Sequence, residues 1–165
     1  MTRARDLAAT AITEIDMWRL TSDIDSNNEI VGNNSSVARV DDATFSKIGT
    51  GMSVTSSGVW SFPVTGIYKI SMQALIVCAA GDTCILQLEG TANDFTASDP
   101  LAWASGGDLD DAKGTFYGST LFNCTNVSTH KVRFKIISLA SGSELQGSST
   151  ENATSFCFQR MGPAA

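Results

Sequence analysis

Few side chains in this sequence are placed to do chemistry. His130 is the only histidine. It precedes Lys131 at the start of a strand-like stretch, with no serine and aspartate spaced to complete a nucleophile–base pair. It reads as an exposed strand end. Cys78, Cys84, Cys124 and Cys157 contain no C-x-x-C knuckle, so zinc is not indicated. Cys78 and Cys84 flank Gly81-Asp82, a turn signal that would set them across from each other on paired strands. All four cysteines read as buried thiols, with a Cys78–Cys84 bridge as the alternative. Asp108, Asp110 and Asp111 share a glycine-flanked stretch and could offer oxygens to Ca²⁺. They lack the regular spacing and bidentate glutamate of a strong site, so a solvated acidic turn is expected. No phosphate-cradling glycine loop occurs. Trp103 and Tyr117, placed in outer loops, could stack on a sugar. No catalytic residue and no cofactor is expected.

Composition narrows the classes further. The chain has 165 residues, with Asp+Glu 17 against Lys+Arg 11 and a net charge of −6. Phosphate neutralisation needs clustered Lys and Arg, so nucleic acid is not an expected partner. Hydrophobic residues make up 42% and charged residues 17%, too apolar for a disordered chain. The longest apolar run, Ala74 to Ala80, falls well short of the roughly 18 residues a bilayer span needs, so no membrane partner is expected. Arg3 and Arg5 are basic, but Asp6, Thr10, Thr13 and Glu14 interrupt what would be the apolar core of a secretory signal. Synthesis in a cytoplasm is therefore expected. The sequons at Asn33, Asn34, Asn123, Asn126 and Asn152 are expected to stay unmodified.

The elements that must position these residues are strands. Residues 1–14 hold helix formers (Ala4, Leu7, Ala8, Ala9, Ala11) but are too few for a lone helix, and read as an arm. Ile15 to Ser22 alternates as a first strand, and 23–36 is an Asn/Ser/Asp-rich loop. Short strands are predicted at 37–40 and 59–62. Gly66 to Cys78 is the strongest strand, with Ile70, Met72, Ala74, Ile76 and Cys78 on one face. Further strands are predicted at 83–88, 101–104, 115–124, 131–139 and 154–161, with loops at 90–99, 106–111 and 141–153. Eight to ten short strands separated by turns mark an all-β sandwich or jelly roll.

One segment is more specific. Gly49-Thr-Gly-Met52 followed by Gly58-Val-Trp-Ser-Phe-Pro-Val-Thr-Gly-Ile-Tyr68 resembles the globular head of complement component one-q and its tumour-necrosis-factor-like relatives. There a strand ending in Phe-x-x-x-x-Gly-aliphatic-Tyr enters the central strand of a ten-stranded jelly roll. Here those positions are Phe62, Gly66, Ile67 and Tyr68, with Pro63 stopping the short strand and Gly66 permitting a sharp turn. Tyr68 is placed to hydrogen-bond back across the corner. The resemblance covers about Ile15 to Met161. It implies a homotrimer whose subunits pack apolar residues of one sheet around a threefold axis, with Tyr68, Leu75, Val77, Ile137, Leu139 and Phe158 as the matching candidates.

Thr2–Ala8, Trp18–Thr21 and Lys47–Met52 are similar to stretches of tailed-phage, notably cyanophage, virion proteins. That likeness implies a capsid decoration protein. Residues 1–14, through Arg3, Arg5 and Leu7, would dock on the major capsid protein or other virion proteins. Residues 15–162 would form the jelly roll, and 163–165 a tail. The alternative is a tail-fibre or receptor-binding tip that takes host surface glycans. A carbohydrate depolymerase would need paired carboxylates flanking a groove, and no such pair stands out.

Overall fold

The chain is described by a computed structural model that covers residues 12–33, 36–107 and 112–165. Every regular element in those residues is a strand: β1 (Ile15–Leu20), β2 (Val37–Arg39), β3 (Ser53–Val54), β4 (Trp60–Ser61), β5 (Gly66–Val77), β6 (Thr83–Thr91), β7 (Asp99–Gly107), β8 (Lys113–Cys124), β9 (Lys131–Ile137), β10 (Glu144–Leu145) and β11 (Ser155–Gly162). The larger sheet runs β2-β1-β11-β5-β8, and β10 pairs with β5 beyond the end of β11. The smaller sheet runs β3-β4-β9-β6-β7. All pairs are antiparallel, and the two sheets face each other as the predicted jelly roll.

Alternation sets the two faces. Along β5 the even-numbered side chains are buried and the odd-numbered ones are not, the period-2 pattern of a half-buried strand. Ile70, Met72, Ala74 and Ile76 point inward to meet Leu86, Leu88, Phe134 and Ile136 of the opposing sheet. Trp60 lies at the centre, with ring centroids 5.0 Å from Trp18, 5.2 Å from Phe158, 5.9 Å from Phe134 and 6.1 Å from Phe156. Such aromatic pairs contribute about 0.5–1.5 kcal/mol each beyond their buried area.

The corner into β5 is built as the sequence suggests, with one change of cause. Phe62 is buried, its ring 4.6 Å from Tyr68 and stacked 5.2 Å from Phe122. After Pro63 the chain turns, and Tyr68 Oη donates to the Val64 carbonyl at 2.9 Å. Gly66 is not among the residues with a left-handed φ. It is needed for space: a Cβ there would lie 2.5 Å from Arg160 Nε and 2.7 Å from the Gly162 carbonyl oxygen.

Asp16 and Glu14 tie the chain start to the 47–52 turn. Gly49 and Gly51 adopt positive φ (80° and 77°), a conformation open to glycine at little cost. This aims successive backbone amides at two carboxylates. Thr50 N and Gly51 N donate to Glu14, and Met52 N donates to Asp16 at 2.7 Å. Asp16, 2% exposed, also accepts from Trp18 Nε1 at 2.8 Å and from Arg39 Nε at 2.9 Å. Trp18–Thr21 and Lys47–Met52 are thus joined by one buried network. Glu14, read as part of the arm, is bonded into the β-domain.

Several elements differ from expectation, three of them most: β7, β6 and the 141–153 stretch. β7 extends through Gly106 and Gly107, which read as loop. Gly106 faces the Phe116 ring so closely that a Cβ would sit 2.4 Å from it. β6 continues to Thr91 and shortens the following loop. The 141–153 stretch contains β10, a two-residue strand with too little pattern to read.

Candidate functional site

The reactive side chains are built into structure. All four cysteines are free thiols. Cys78 and Cys84 do not face each other across a hairpin, because β5 and β6 belong to different sheets. Burial, with Cys78 nearby, pushes the Cys84 thiol up to about 12. Burial also raises Cys124 and Cys157. A thiol held protonated is a poor nucleophile and a poor metal ligand. Both ring nitrogens of His130 sit beside threonine hydroxyls, Nε2 at 3.1 Å from Thr125 Oγ1 and Nδ1 at 3.2 Å from Thr129 Oγ1. No carboxylate orients the ring, so it ties down a strand start. Among the described residues no group of three or more His, Cys, Asp or Glu could hold a metal ion, and no helix is long and apolar enough to cross a membrane. The calcium candidates Asp108, Asp110 and Asp111 lie outside the described residues, as do Arg3, Arg5 and Leu7 of the arm.

The six residues nominated for a trimer face do not share one. Tyr68 and Phe158 are 1% exposed and Leu139 6%. All three belong to the core of the single chain, because their strand positions point between the sheets. Leu75 and Val77 are half-buried on the outer face of the larger sheet, whereas Ile137 lies on the outer face of the smaller one. Trp103 and Tyr117 are exposed, but on β7 and β8 rather than in loops, and on different sheets. Those two strands close one edge of the sandwich. A Cβ on Gly118 would lie 2.6 Å from the Trp103 carbonyl oxygen, so only glycine lets them approach this closely.

The surface that sequence patterning missed is the outer face of the larger sheet. Register lines up Met17, Cys157, Ser71 and Ser119 as one cross-strand row over β1, β11, β5 and β8. Arg19, Ser155, Gln73 and Tyr117 form the next, and Ile15, Gln159, Lys69 and Leu121 the row on the other side. A hollow of about 270 Å³ opens among Met17, Ser71, Gln73, Tyr117 and Cys157. Tyr117, which lines it, is 60% exposed; Leu121, in the row beyond Ser119, is 66% exposed, and Met161, near the end of β11, 57%. The face offers apolar contact and hydrogen-bonding groups, and burial raises the one thiol that lines the hollow, Cys157.

No known sequence family matches the chain, and no curated protein does. Solved structures are similar in fold. Eiger TNF from S. frugiperda aligns over 94% of this chain and 96% of its own, with a TM-score of 0.68 at 10% identity. Murine APRIL aligns over 89% and 98%, with a TM-score of 0.63 at 13% identity. The globular domain of zebrafish complement 1qA protein aligns over 92% and 98%, with a TM-score of 0.51 at 11% identity. The fold is the tumour-necrosis-factor-like jelly roll.

Proposed function

We propose that this chain is a non-enzymatic globular head that assembles with two further copies of itself through the outer face of its larger sheet. The observation that carries this reading is the exposure of Tyr117 and Leu121 on the outer face of the larger sheet, where Tyr117 lines the hollow at Met17 and Cys157. These side chains are exposed in the single chain, and large apolar side chains left in water on one face favour association. The likeness in fold to tumour-necrosis-factor and complement heads supports three copies as the stoichiometry, and closed cyclic symmetry prevents runaway growth. Light scattering coupled to size exclusion tests it. A mass of three chains at micromolar concentration is the expected result, and a stable single-chain mass overturns it.

The finer reading is a tailed-phage virion protein, made in the host cytoplasm, that decorates the capsid. Residues 1–14 would bind the major capsid protein, the jelly roll over 15–162 would project, and 163–165 would trail from it. Support comes from sequence likeness at Thr2–Ala8, Trp18–Thr21 and Lys47–Met52. Because the last two share the Asp16 network, their spacing also has a structural explanation, and the weight falls on Thr2–Ala8. Three weakly binding arms on one trimer would attach by avidity. Glu14 is bonded to Thr50 and Gly51, so the deletion that tests attachment removes residues 1–11. The truncated protein is expected to stay assembled and to lose binding to capsids that lack the decoration. Retained binding overturns the arm's role.

A further inference from the structure

The outer face of the smaller sheet carries a row of side chains that the assembly reading leaves unused. Trp103 pairs directly with Gln87, and Gln87 with Lys135, across β7, β6 and β9. Neighbouring strands lie about 4.8 Å apart, so the row spans about 10 Å. Trp103 is 56% exposed, and it is the one exposed large apolar side chain of that sheet among the described residues. A hollow of about 220 Å³ opens beside it, lined by Pro100, Leu101 and Ala102.

The two polar members of the row are uncommitted. Gln87 is only 8% exposed, yet among the described residues neither its amide nor the Lys135 ammonium makes a hydrogen bond or ion pair. Among the described residues Trp60 Nε1 is the one fully buried side-chain polar atom without a partner, so the Gln87 amide reaches the surface and is available to a ligand. The cations beside Lys135 on β9 are already engaged. Lys131 donates to Ser61 Oγ and the Val127 carbonyl, and Arg133 is held by Glu89 at 2.6 Å. Ile85 and Ile137, half-buried, lie one row away and give the platform an apolar margin.

We infer that this row binds a short acidic saccharide, with a sugar ring on the Trp103 indole, a hydroxyl on the Gln87 amide and a carboxylate on Lys135. Each part follows from chemistry. An indole face packs against the apolar face of a pyranose ring. An amide both donates and accepts, which matches a hydroxyl, and an ammonium offers three donors to a carboxylate. A span of about 10 Å accommodates two rings. The site lies on the opposite sheet from the self-association face, so it stands whether or not the chain assembles.

The test follows the Trp103 indole N–H by nuclear magnetic resonance, with its signal assigned from Trp103→Phe. Digalacturonate, dimannuronate and the methyl diester of digalacturonate are titrated into the full chain. At least one free acid is expected to shift the Trp103 signal with millimolar affinity, and the ester to bind about tenfold more weakly. Trp103→Ala should abolish the response of the remaining signals on this face. Lys135→Gln should bring the acid down to the ester's affinity, and Gln87→Ala should weaken both. All three positions lie on the outer face, and unchanged melting confirms that the variants fold. A Trp103 signal unmoved by both acids overturns the site. Equal binding of acid and ester, or an unchanged preference in Lys135→Gln, overturns the acidic ligand.

Discussion

Tyr68 donates its phenolic hydrogen to the carbonyl oxygen of Val64, four residues earlier and 2.9 Å away. The bond closes the corner between β4 and β5 while the ring packs on Phe62. Tyr68→Phe keeps the ring and leaves the Val64 carbonyl without this donor. A net hydrogen bond contributes about 0.5–1.5 kcal/mol, so the variant should unfold about 2–4 °C below the parent per kcal/mol lost. Thermal unfolding followed by circular dichroism measures this, and an unchanged midpoint would show that the bond contributes nothing.

Gly66 makes a sharper prediction at the same corner. A branched side chain there must push aside Arg160, whose guanidinium bonds the Thr65 carbonyl and Thr13. Gly66→Val should cost about 1–3 kcal/mol or more, the usual range for overpacking. Gly162→Ala is the matched control, because nothing lies within 4 Å of its added Cβ. It should change stability by less than about 0.5 kcal/mol. Equal denaturant midpoints for the two variants would remove the steric explanation.

What was legible in the sequence follows from how far each signal reaches. Gly66–Val77 alternates over twelve residues, so strand, faces and the Tyr68 corner could all be read locally. β10 has two residues and no pattern of its own; it is set by tertiary pairing, with the buried Leu145 beside Ile76 of β5 and its backbone bonded to Ile24. Alternation also cannot say which of two apolar faces is the inner one. That is why Tyr68, Leu139 and Phe158 were nominated for a surface they do not reach. Binding rows are the least legible feature. Trp103, Gln87 and Lys135 come from three strands and meet only through register.

Two buried acids predict an alkaline limit. In the unfolded chain Cys84 loses its proton near 9.0 and Tyr68 near 10.0, whereas in the folded chain both hold it to about 12. Burial is the main cause in each case, because it disfavours the anion. Between these values the unfolded state carries fewer protons than the native state, so stability falls as pH rises. It is fully present below pH 9 and lost progressively towards about 12. Denaturant midpoints taken at rising pH should decline over this window, and the first part of the decline should flatten in Cys84→Ala. A midpoint that stays level would contradict the linkage.

Asp16 gathers several polar contacts at a buried position. Asp16→Ala leaves the Met52 amide, the Trp18 indole N–H and Arg39 Nε without their acceptor, while Arg39 Nη2 keeps the Met52 carbonyl. Removing one partner of a buried pair costs about 3–5 kcal/mol. Because the Arg39 side chain is 28% exposed, water recovers part of its loss, and about 3 kcal/mol is expected. Asp16→Ala and Arg39→Ala should therefore be clearly non-additive when combined. Additive losses in a double-mutant cycle would show that the ion pair carries no coupling energy.

The self-association face has its own discriminating substitution. Leu121 is 66% exposed and lies across from Lys69, so Leu121→Glu adds a charge where the single chain is already wet. Stability of the isolated fold should move by less than about 0.5 kcal/mol. If three copies bury this face, each glutamate must lose its hydration inside the contact, and association should weaken by about 100-fold or more. Ser53→Glu, on exposed β3 of the smaller sheet, is the control and should leave the mass unchanged. Sedimentation equilibrium distinguishes the outcomes. A parent that sediments as three chains, a Leu121→Glu variant that sediments as one and a Ser53→Glu variant like the parent would locate the contact on the larger sheet. Assembly by Leu121→Glu with undiminished affinity would move the contact elsewhere.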